Sequence, residues 1–133
     1  MACERKFYVC KHCGNLVGLI HAGGGTLVCC GDPMTLLEPN TVEASTEKHI
    51  PVVTVDGNKV TVAVGSIPHP MTPEHFIQWI YLCTYSGGQR KSLTPTDKPE
   101  ATFYLDDTNV CEVFAYCNLH GLWSVKIACE KCK

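Results

Sequence analysis

Short alternating runs of apolar and polar residues, separated by turn residues, fill the chain from about residue 38 onward. The run 50–55 leads into Asp56-Gly57-Asn58, which has the composition of a hairpin turn, and the run 59–64 follows. Similar runs cover 101–105, 110–117 and 121–128. A period of two, bounded by turn signals at this spacing, predicts the antiparallel strands of a β-sandwich.

The segment from His75 to Tyr85 is compatible with two structures. Thr72-Pro73-Glu74 offers a helix N-cap with a proline at the first helical position, which favours a helix. The residues that follow are aromatic or β-branched, which favours a strand. These residues are Phe76, Ile77, Trp79, Ile80 and Tyr81. We predict a short turn followed by a strand that ends at Gly87-Gly88, with the helix as the alternative.

The first 37 residues differ from the rest of the chain. They contain five cysteines, a Gly23-Gly24-Gly25 turn and only short apolar runs. Such a segment cannot bury much of a core and needs a covalent or metal cross-link to fold. We therefore predict two domains, 1–37 and 38–133.

Composition excludes several classes of protein. The 133 residues carry a formal net charge of −2, and they lack the clustered lysine and arginine that bind a nucleic-acid backbone. No apolar run approaches the roughly 18 residues that cross a bilayer, and the first residues do not resemble a signal peptide. We expect a cytoplasmic protein with no nucleic acid and no membrane among its partners.

The ten cysteines indicate metal ligation, because a reducing cytoplasm keeps disulfides open. Cys10 and Cys13 form a C-x2-C turn, and the adjacent Cys29 and Cys30 follow after a longer loop. Four thiolates satisfy the tetrahedral preference of zinc or of mononuclear iron, and the bound metal would stabilise this small segment. On spacing alone, a structural zinc ribbon is an equal alternative to iron. The adjacency of the last two cysteines is unusual for a zinc knuckle.

A second candidate site combines one cysteine with the histidines of the β-rich part. Cys117-Asn118-Leu119-His120 places a thiolate and an imidazole around one turn, while His69 and His75 bracket a proline-containing loop. Strand alternation puts Cys117 on the core-facing side, where an unligated thiolate would protonate. The four histidines are His49, His69, His75 and His120. Four imidazoles and one thiolate suit iron better than zinc and leave one coordination position open.

Five segments resemble the desulfoferrodoxin family, the superoxide reductases with two iron centres. They are CKHCGN, LVCCGDPM, EKHIPVV, HPMTPEHFIQWI and CNLHGLW, and they extend over nearly the whole chain. The resemblance implies a mainly β fold. In it, a small desulforedoxin-like four-Cys metal domain is followed by an immunoglobulin-like seven-strand antiparallel β-sandwich. It also implies a homodimer.

The resemblance further implies two iron ions per chain. A rubredoxin-like iron is expected at Cys10, Cys13, Cys29 and Cys30. The catalytic iron is expected at His49, His69, His75, His120 and Cys117, with the histidines equatorial and the cysteine axial. Substitution of either iron by zinc or calcium is not expected.

The activity that the resemblance implies is one-electron reduction of superoxide to hydrogen peroxide. This oxidative-stress detoxification depends on electron transport from an external donor such as rubredoxin. Lys48 is expected to attract the anion and to order a proton-donating water. Glu47 is expected to occupy the open coordination position on the oxidised iron. Without the EKHIP match, both residues would be ordinary solvated charges.

Three other functions stay open on the residues alone. An iron dismutase would evolve oxygen and need no donor. A pure electron-transfer protein would have both irons coordinatively saturated. A zinc-stabilised binding module would be colourless.

Several thiols outside the two sites have no assigned role. Cys83 and Cys111 lie within predicted strands and are expected to fill the core. The terminal pair Cys129 and Cys132 is expected to be an unpartnered chain end. No role follows for Cys3.

Overall fold

The computed structural model describes residues 5–106 and 109–127. The chain divides into two compact units, Glu4–Glu38 and a larger unit containing Pro39–Lys133. The sequence-based boundary between residues 37 and 38 stays a prediction. Cys3, Cys129 and Cys132 lie outside the described residues. Within the described ranges, no helix is long and apolar enough to span a membrane.

The smaller unit is built from five short strands. They are β1 (Lys6–Val9), β2 (Leu16–Leu19), β3 (Val28–Cys29), β4 (Asp32–Pro33) and β5 (Thr35–Leu37). β1 lies between β2 and β5 in an antiparallel sheet, and β3 pairs with β4. Among the described residues of this unit, only Phe7 and Cys10 are buried. The unit therefore has almost no apolar core to hold it together.

The larger unit is a sandwich of two antiparallel sheets. Its elements are α1 (Thr46–His49), β6 (Pro51–Asp56), β7 (Lys59–Val64), β8 (Ile77–Thr84), β9 (Gly87–Ser92), β10 (Glu100–Tyr104), β11 (Val110–Cys117) and β12 (Gly121–Lys126). One sheet has the order β10-β7-β6 and the other the order β12-β11-β8-β9. These seven strands of the described residues, divided three and four, confirm the predicted mainly β, immunoglobulin-like sandwich.

The apolar core of the sandwich lies between the two sheets. Alternate residues of β7, β8 and β11 form much of it: Val60, Val62, Val64, Ile80, Leu82, Val113, Ala115 and Cys117. The side chains of successive strand residues point to opposite faces. Cys117 therefore shares the inner face of β11 with Val113 and Ala115, as the alternation predicted, and its thiol lies in an apolar environment.

The segment after residue 72 forms a turn and then a strand, as predicted. Thr72 and His75 make an isolated antiparallel bridge with backbone hydrogen bonds of 3.0 and 3.1 Å, and β8 begins at Ile77. β8 ends at Thr84, just before Gly87-Gly88 as predicted, and these glycines begin the next strand, β9. Glycine suits residue 88 because the Tyr81 side chain occupies the space that a Cβ would need.

Cys83 and Cys111 are buried on β8 and β11, where they pack together against Tyr81. Cys111 is disulfide-bonded. Both cysteines are therefore buried in the core as predicted, whereas the disulfide of Cys111 differs from the expectation that disulfides stay open.

Candidate metal centres

Four cysteines of the smaller unit converge on one point. Cys10 and Cys13 lie in the loop after β1, Cys29 ends β3, and Cys30 begins the turn into β4. All four sulfur atoms lie within 4.8 Å of one another. The Sγ–Sγ distance is 3.7 Å from Cys13 to Cys29 and 4.0 Å from Cys29 to Cys30. Metal–sulfur bonds of about 2.3 Å place the corners of a tetrahedron about 3.8 Å apart, so the spacing fits one tetrahedral ion.

The backbone of the second cysteine loop explains how two adjacent cysteines face the same point. Cys30 has a φ of 53° and Gly31 a φ of 81°, so two consecutive residues lie in the left-handed region. In an extended strand the side chains of Cys29 and Cys30 would point to opposite faces, and this turn brings them together. A hydrogen bond between the exposed side chains of His12 and Asp32 links this loop to the first cysteine loop.

Interactions among the sulfur atoms affect their ionisation unequally. Backbone hydrogen bonding from Cys13 lowers the pKa of Cys10 to about 6. Hydrogen bonds with the other thiols raise the pKa of Cys30 to about 12 and also raise the pKa of Cys29. Four thiolates therefore need a cation among them, because each negative charge opposes ionisation of the next.

The second candidate site lies at one end of the sandwich. His49 ends α1 directly before β6, and His69 and His75 lie in the connection between β7 and β8. Cys117 ends β11, and His120 lies in the turn into β12. Because paired strands run antiparallel, the ends of β7 and β11 lie at the same end of the sandwich as the starts of β6, β8 and β12. The structure thus brings together all five residues predicted for the catalytic site.

The four imidazoles form a four-sided ring. Neighbouring centroids are 4.6 to 5.0 Å apart, with interplanar angles of 79° to 86°. The order around the ring is His49, His69, His75 and His120. His49 Nε2 is 3.2 Å from His69 Nε2 and 3.1 Å from His120 Nδ1. Metal–nitrogen bonds of about 2.1 Å at right angles would separate neighbouring nitrogens by about 3.0 Å, so the spacing fits a square of nitrogen donors.

Cys117 lies to one side of this square. Its Sγ is 3.9 Å from His120 Nδ1, and it forms a group with the other three histidines whose donor atoms all lie within 4.8 Å of one another. An ion bound among the four nitrogens could therefore also be held by the Cys117 sulfur, which would supply a fifth donor. Burial raises the pKa of the Cys117 thiol, and backbone hydrogen bonds from His120 and Leu119 partly oppose this effect.

The hydrogen bonds of two imidazoles leave their inner nitrogens without a proton. His49 Nδ1 donates to the carbonyl oxygen of Ser45 at 2.7 Å, and His69 Nδ1 donates to that of Pro70 at 2.7 Å. In the neutral rings both Nε2 atoms are then acceptors, yet they face each other at 3.2 Å. His75 Nε2 is buried and has no hydrogen-bond partner among the described residues. Facing acceptors and an orphaned nitrogen fit a cation bound between them.

Burial favours the neutral form of three imidazoles, those of His49, His69 and His75. It lowers the pKa of His69 to about 4 and also lowers the pKa of His49 and of His75. The positive charge of Lys48 adds to the lowering for His49 and His75. A metal ion therefore meets unprotonated nitrogens near neutral pH.

Glu47 and Lys48 lie on α1 immediately before His49, and both side chains are exposed. The Ser45 hydroxyl donates a 2.8 Å hydrogen bond to the Glu47 carboxylate, which lowers the pKa of that carboxyl. The Glu47 carbonyl accepts a 2.9 Å hydrogen bond from the Ile67 backbone, which holds the short helical turn in place. The catalytic roles of these two residues stay predictions.

Sequence reasoning missed residues that hold the imidazoles in place. Trp123 is buried, its ring stacks on His49 with centroids 4.8 Å apart, and its Nε1–H donates to the His120 carbonyl at 3.0 Å. Asn118 makes two side-chain hydrogen bonds to the loop that carries His75. Both residues lie in the segment CNLHGLW, and their proximity to candidate ligands in the chain was the available signal.

Comparisons with known proteins agree over nearly the whole chain. The family model described as "Desulfoferrodoxin, N-terminal domain" matches residues 2–37, and the model described as "Desulfoferrodoxin" matches residues 41–126. A desulfoferrodoxin of Syntrophotalea carbinolica is 52% identical over 124 residues, which are 93% of this chain and 98% of that protein.

Two similar proteins are named superoxide reductases. The crystal structure of the superoxide reductase from Treponema pallidum has 43% sequence identity and a TM-score of 0.78, with 92% of this chain and 99% of that chain covered. A superoxide reductase of Pyrococcus horikoshii is 38% identical over 102 residues, which are 63% of this chain and 89% of that protein.

Proposed function

This chain belongs to the desulfoferrodoxin family, and we propose that it is a superoxide reductase with one iron ion at each of its two metal sites. The observation that carries the proposal is the square of four imidazoles with a cysteine sulfur on one side. The similarity to proteins named superoxide reductase supports the same activity.

We assign a set of donor atoms to each ion. The first ion is held by the sulfur atoms of Cys10, Cys13, Cys29 and Cys30. The second ion is held by Nε2 of His49, His69 and His75, by Nδ1 of His120 and by Sγ of Cys117. Five nitrogen and sulfur donors on one ion favour iron, because zinc in proteins is almost always four-coordinate.

The chemistry supplied by a bound ferrous ion is the transfer of one electron to superoxide, which becomes hydrogen peroxide on taking up two protons. A ferrous ion held by four neutral imidazoles and one thiolate would keep a net positive charge, because the thiolate cancels only part of the charge of the ion. This positive charge would attract the small anion. The five donors would hold the ion without filling a sixth coordination position, so the anion could reach it without displacing a protein ligand.

Lys48 and Glu47 have complementary roles in this proposal. The exposed ammonium of Lys48 adds a positive charge near His49 and His75, as its effect on the pKa of both rings indicates. It attracts superoxide and orders the water that donates a proton. The hydrogen bond from Ser45 lowers the pKa of the Glu47 carboxyl, and the ionised carboxylate would supply a further oxygen donor to the bound metal between turnovers.

The partners follow from the family and from the need for an electron in every turnover. We propose a rubredoxin or a similar small iron protein as the donor and a homodimer as the assembly. We also propose a cytoplasmic location, because a reducing compartment keeps the cysteines assigned to both metals available as ligands, and this location has to accommodate the disulfide of Cys111.

The first test is metal analysis with a visible spectrum before and after oxidation, followed by pulse kinetics with superoxide. We expect two irons per chain, a thiolate-to-iron band that appears on oxidation of the second centre, and superoxide consumption without oxygen evolution. Oxygen evolution in proportion to superoxide consumed would indicate a dismutase instead. Zinc alone with no colour change would exclude the reductase.

A further inference from the structure

Two of the imidazoles are oriented by hydrogen bonds from their own rings, whereas His75 is held differently. The Nδ1 atoms of His49 and His69 donate to backbone carbonyls, and these bonds set which nitrogen faces the centre of the square. His75 Nε2 is buried without a partner among the described residues. No hydrogen bond from a described residue reaches either ring nitrogen of His75, so the position of this ring depends on the backbone of its loop.

The side chain of Asn118 clamps that backbone on both sides of His75. Its Oδ1 accepts a 2.9 Å hydrogen bond from the Phe76 N–H, and its Nδ2 donates a 2.9 Å hydrogen bond to the Glu74 carbonyl. The Asn118 backbone N–H also lies 3.3 Å from the Phe76 carbonyl. One amide thus satisfies a donor and an acceptor that directly flank a candidate metal ligand.

Asn118 also stands next to two other donors in the chain. It follows Cys117 directly and precedes His120 by two residues, in the turn between β11 and β12. The His75 loop is more than forty residues away in sequence, since the two side-chain bonds span 42 and 44 residues. The clamp therefore connects three candidate donors, Cys117, His120 and His75, through one side chain.

We propose that Asn118 is a positioning residue that fixes His75 relative to Cys117 and His120 and thereby sets the metal geometry of the second site. This inference rests on the proposed function for the identity of the metal and of the reaction. Residues that hold metal ligands from outside change metal affinity by about 10- to 100-fold when they are replaced. A loose His75 would weaken the equatorial plane and change the reduction potential of the ion.

The test replaces Asn118 and measures the metal site directly. Asn118→Asp keeps the acceptor for Phe76 but removes the donor and places a carboxylate oxygen against the Glu74 carbonyl. We expect the ferrous-ion affinity of the second site to fall by about 10- to 100-fold, with a shifted reduction potential and a changed thiolate-to-iron band. Asn118→Ala removes both bonds without adding charge, and it serves where the aspartate variant is unstable.

Asn40 provides a matched control. Its side chain makes the same double clamp, donating to the Ser124 carbonyl at 3.0 Å and accepting from the Ser124 N–H at 2.9 Å. We expect Asn40→Asp to lower the melting temperature while leaving the iron affinity and the potential unchanged. The proposal is overturned if both Asn118 variants keep wild-type affinity and potential, or if Asn40→Asp alters them equally.

The same experiment separates this inference from the proposed function. Failure of the wild-type protein to consume superoxide, with both irons bound, would reject the reductase. The affinity and potential of the Asn118 variants would still decide whether Asn118 positions His75.

Discussion

A single carbonyl oxygen decides which nitrogen of His49 faces the metal site. Because Nδ1 donates to Ser45, Nε2 is left as the acceptor, and His69 repeats the pattern with Pro70. His120 differs, since its Nδ1 is the atom that lies 3.1 Å from His49 Nε2. Residue type therefore supplies a donor, and the hydrogen bond on the outer side of the ring selects the atom that is used.

Replacing Cys117 by serine removes the single sulfur among the five donors of the second site. We expect superoxide reduction to fall by more than the roughly 100-fold that outer-sphere changes cost, with loss of the thiolate-to-iron band. Cys83→Ser is the control, because Cys83 is equally buried, at 0% exposure, and lies outside both sites. Full activity of Cys117→Ser in pulse kinetics would show that this sulfur does not serve the reaction.

Glu112 is a buried carboxyl on β11, away from both metal sites. Burial raises the pKa of Glu112 above its ordinary value of 4.5, against smaller lowering effects of Ser124 and Lys126. The folded protein therefore holds this proton more tightly than the unfolded chain does. As the pH rises through the interval between the unfolded and folded pKa values, this group lowers the stability.

We accordingly expect Glu112→Gln to be more stable than the wild type at neutral pH, with an advantage that shrinks as the pH falls towards the ordinary value of 4.5. Urea unfolding of the metal-loaded proteins between these pH values measures the difference. Glu100→Gln on β10 controls for the loss of one exposed charge. A constant difference between Glu112→Gln and the wild type across the range would contradict the predicted titration.

At the scale of elements, the four-residue helix α1 carries Glu47, Lys48 and His49 and is too short to be stable by itself. Hydrogen bonds from residues 66 and 67 to the Glu47 carbonyl hold it against the chain after β7. At Gly65 the two segments approach closely, and the Glu47 carbonyl oxygen takes the space that a Cβ would need. A Cβ there would lie 3.0 Å from the Ile50 carbonyl oxygen and 3.0 Å from the Lys48 carbonyl carbon.

Gly65→Ala should therefore displace α1 and with it His49. We expect a loss of about 1 to 3 kcal/mol in the free energy of unfolding, together with weaker iron binding at the second site. Gly87→Ala is the matched control, because a Cβ at that residue meets nothing within 4 Å. Thermal unfolding and iron titration of both variants test the idea, which fails if the two behave alike.

The strands of the larger unit differ in whether the local residue pattern predicts them. β7 follows from alternation, because only one of its faces lies in the core, whereas β11 is an almost continuous apolar run that is buried on both faces. β9 could not be predicted in this way, since its residues are polar or glycine and most of them are exposed. It forms through pairing with β8, and such pairing depends on backbone hydrogen bonds that leave little trace in the sequence.

At the scale of the whole molecule, the two units differ in the source of their stability. The larger unit has a continuous apolar core, whereas the described part of the smaller unit buries only Phe7 and Cys10. Metal binding at the four cysteines is then the main stabilising interaction of the smaller unit. The second site belongs entirely to the larger unit.

Cys13→Ser, which removes one thiolate of the first site, should unfold the smaller unit selectively. We expect loss of the first metal and of hydrogen-exchange protection across residues 5–38. Iron binding at the second site and rapid reduction of superoxide in a single turnover should persist. Mass-spectrometric hydrogen exchange checks the first outcome and pulse kinetics the second. Retained protection in the smaller unit would mean that its strands are stable without the complete metal site.

The sequence by itself determined the fold class and the donor types. Alternation located the buried strands, and the grouping of cysteines and histidines indicated two metal sites, because burial and metal affinity depend on residue type and short spacing. Family resemblance supplied the choice of iron over zinc at the first site and the expected roles of Glu47 and Lys48.

Only the tertiary structure decided the rest. It selected the donor atom of each imidazole, placed Trp123 and Asn118 against the ligands, and allowed Cys29 and Cys30 to face one ion. These features depend on contacts between residues that are distant in the chain, or on a backbone conformation that residue type disfavours. Local propensity carries no information about either, because both exist only when the folded chain holds them in place.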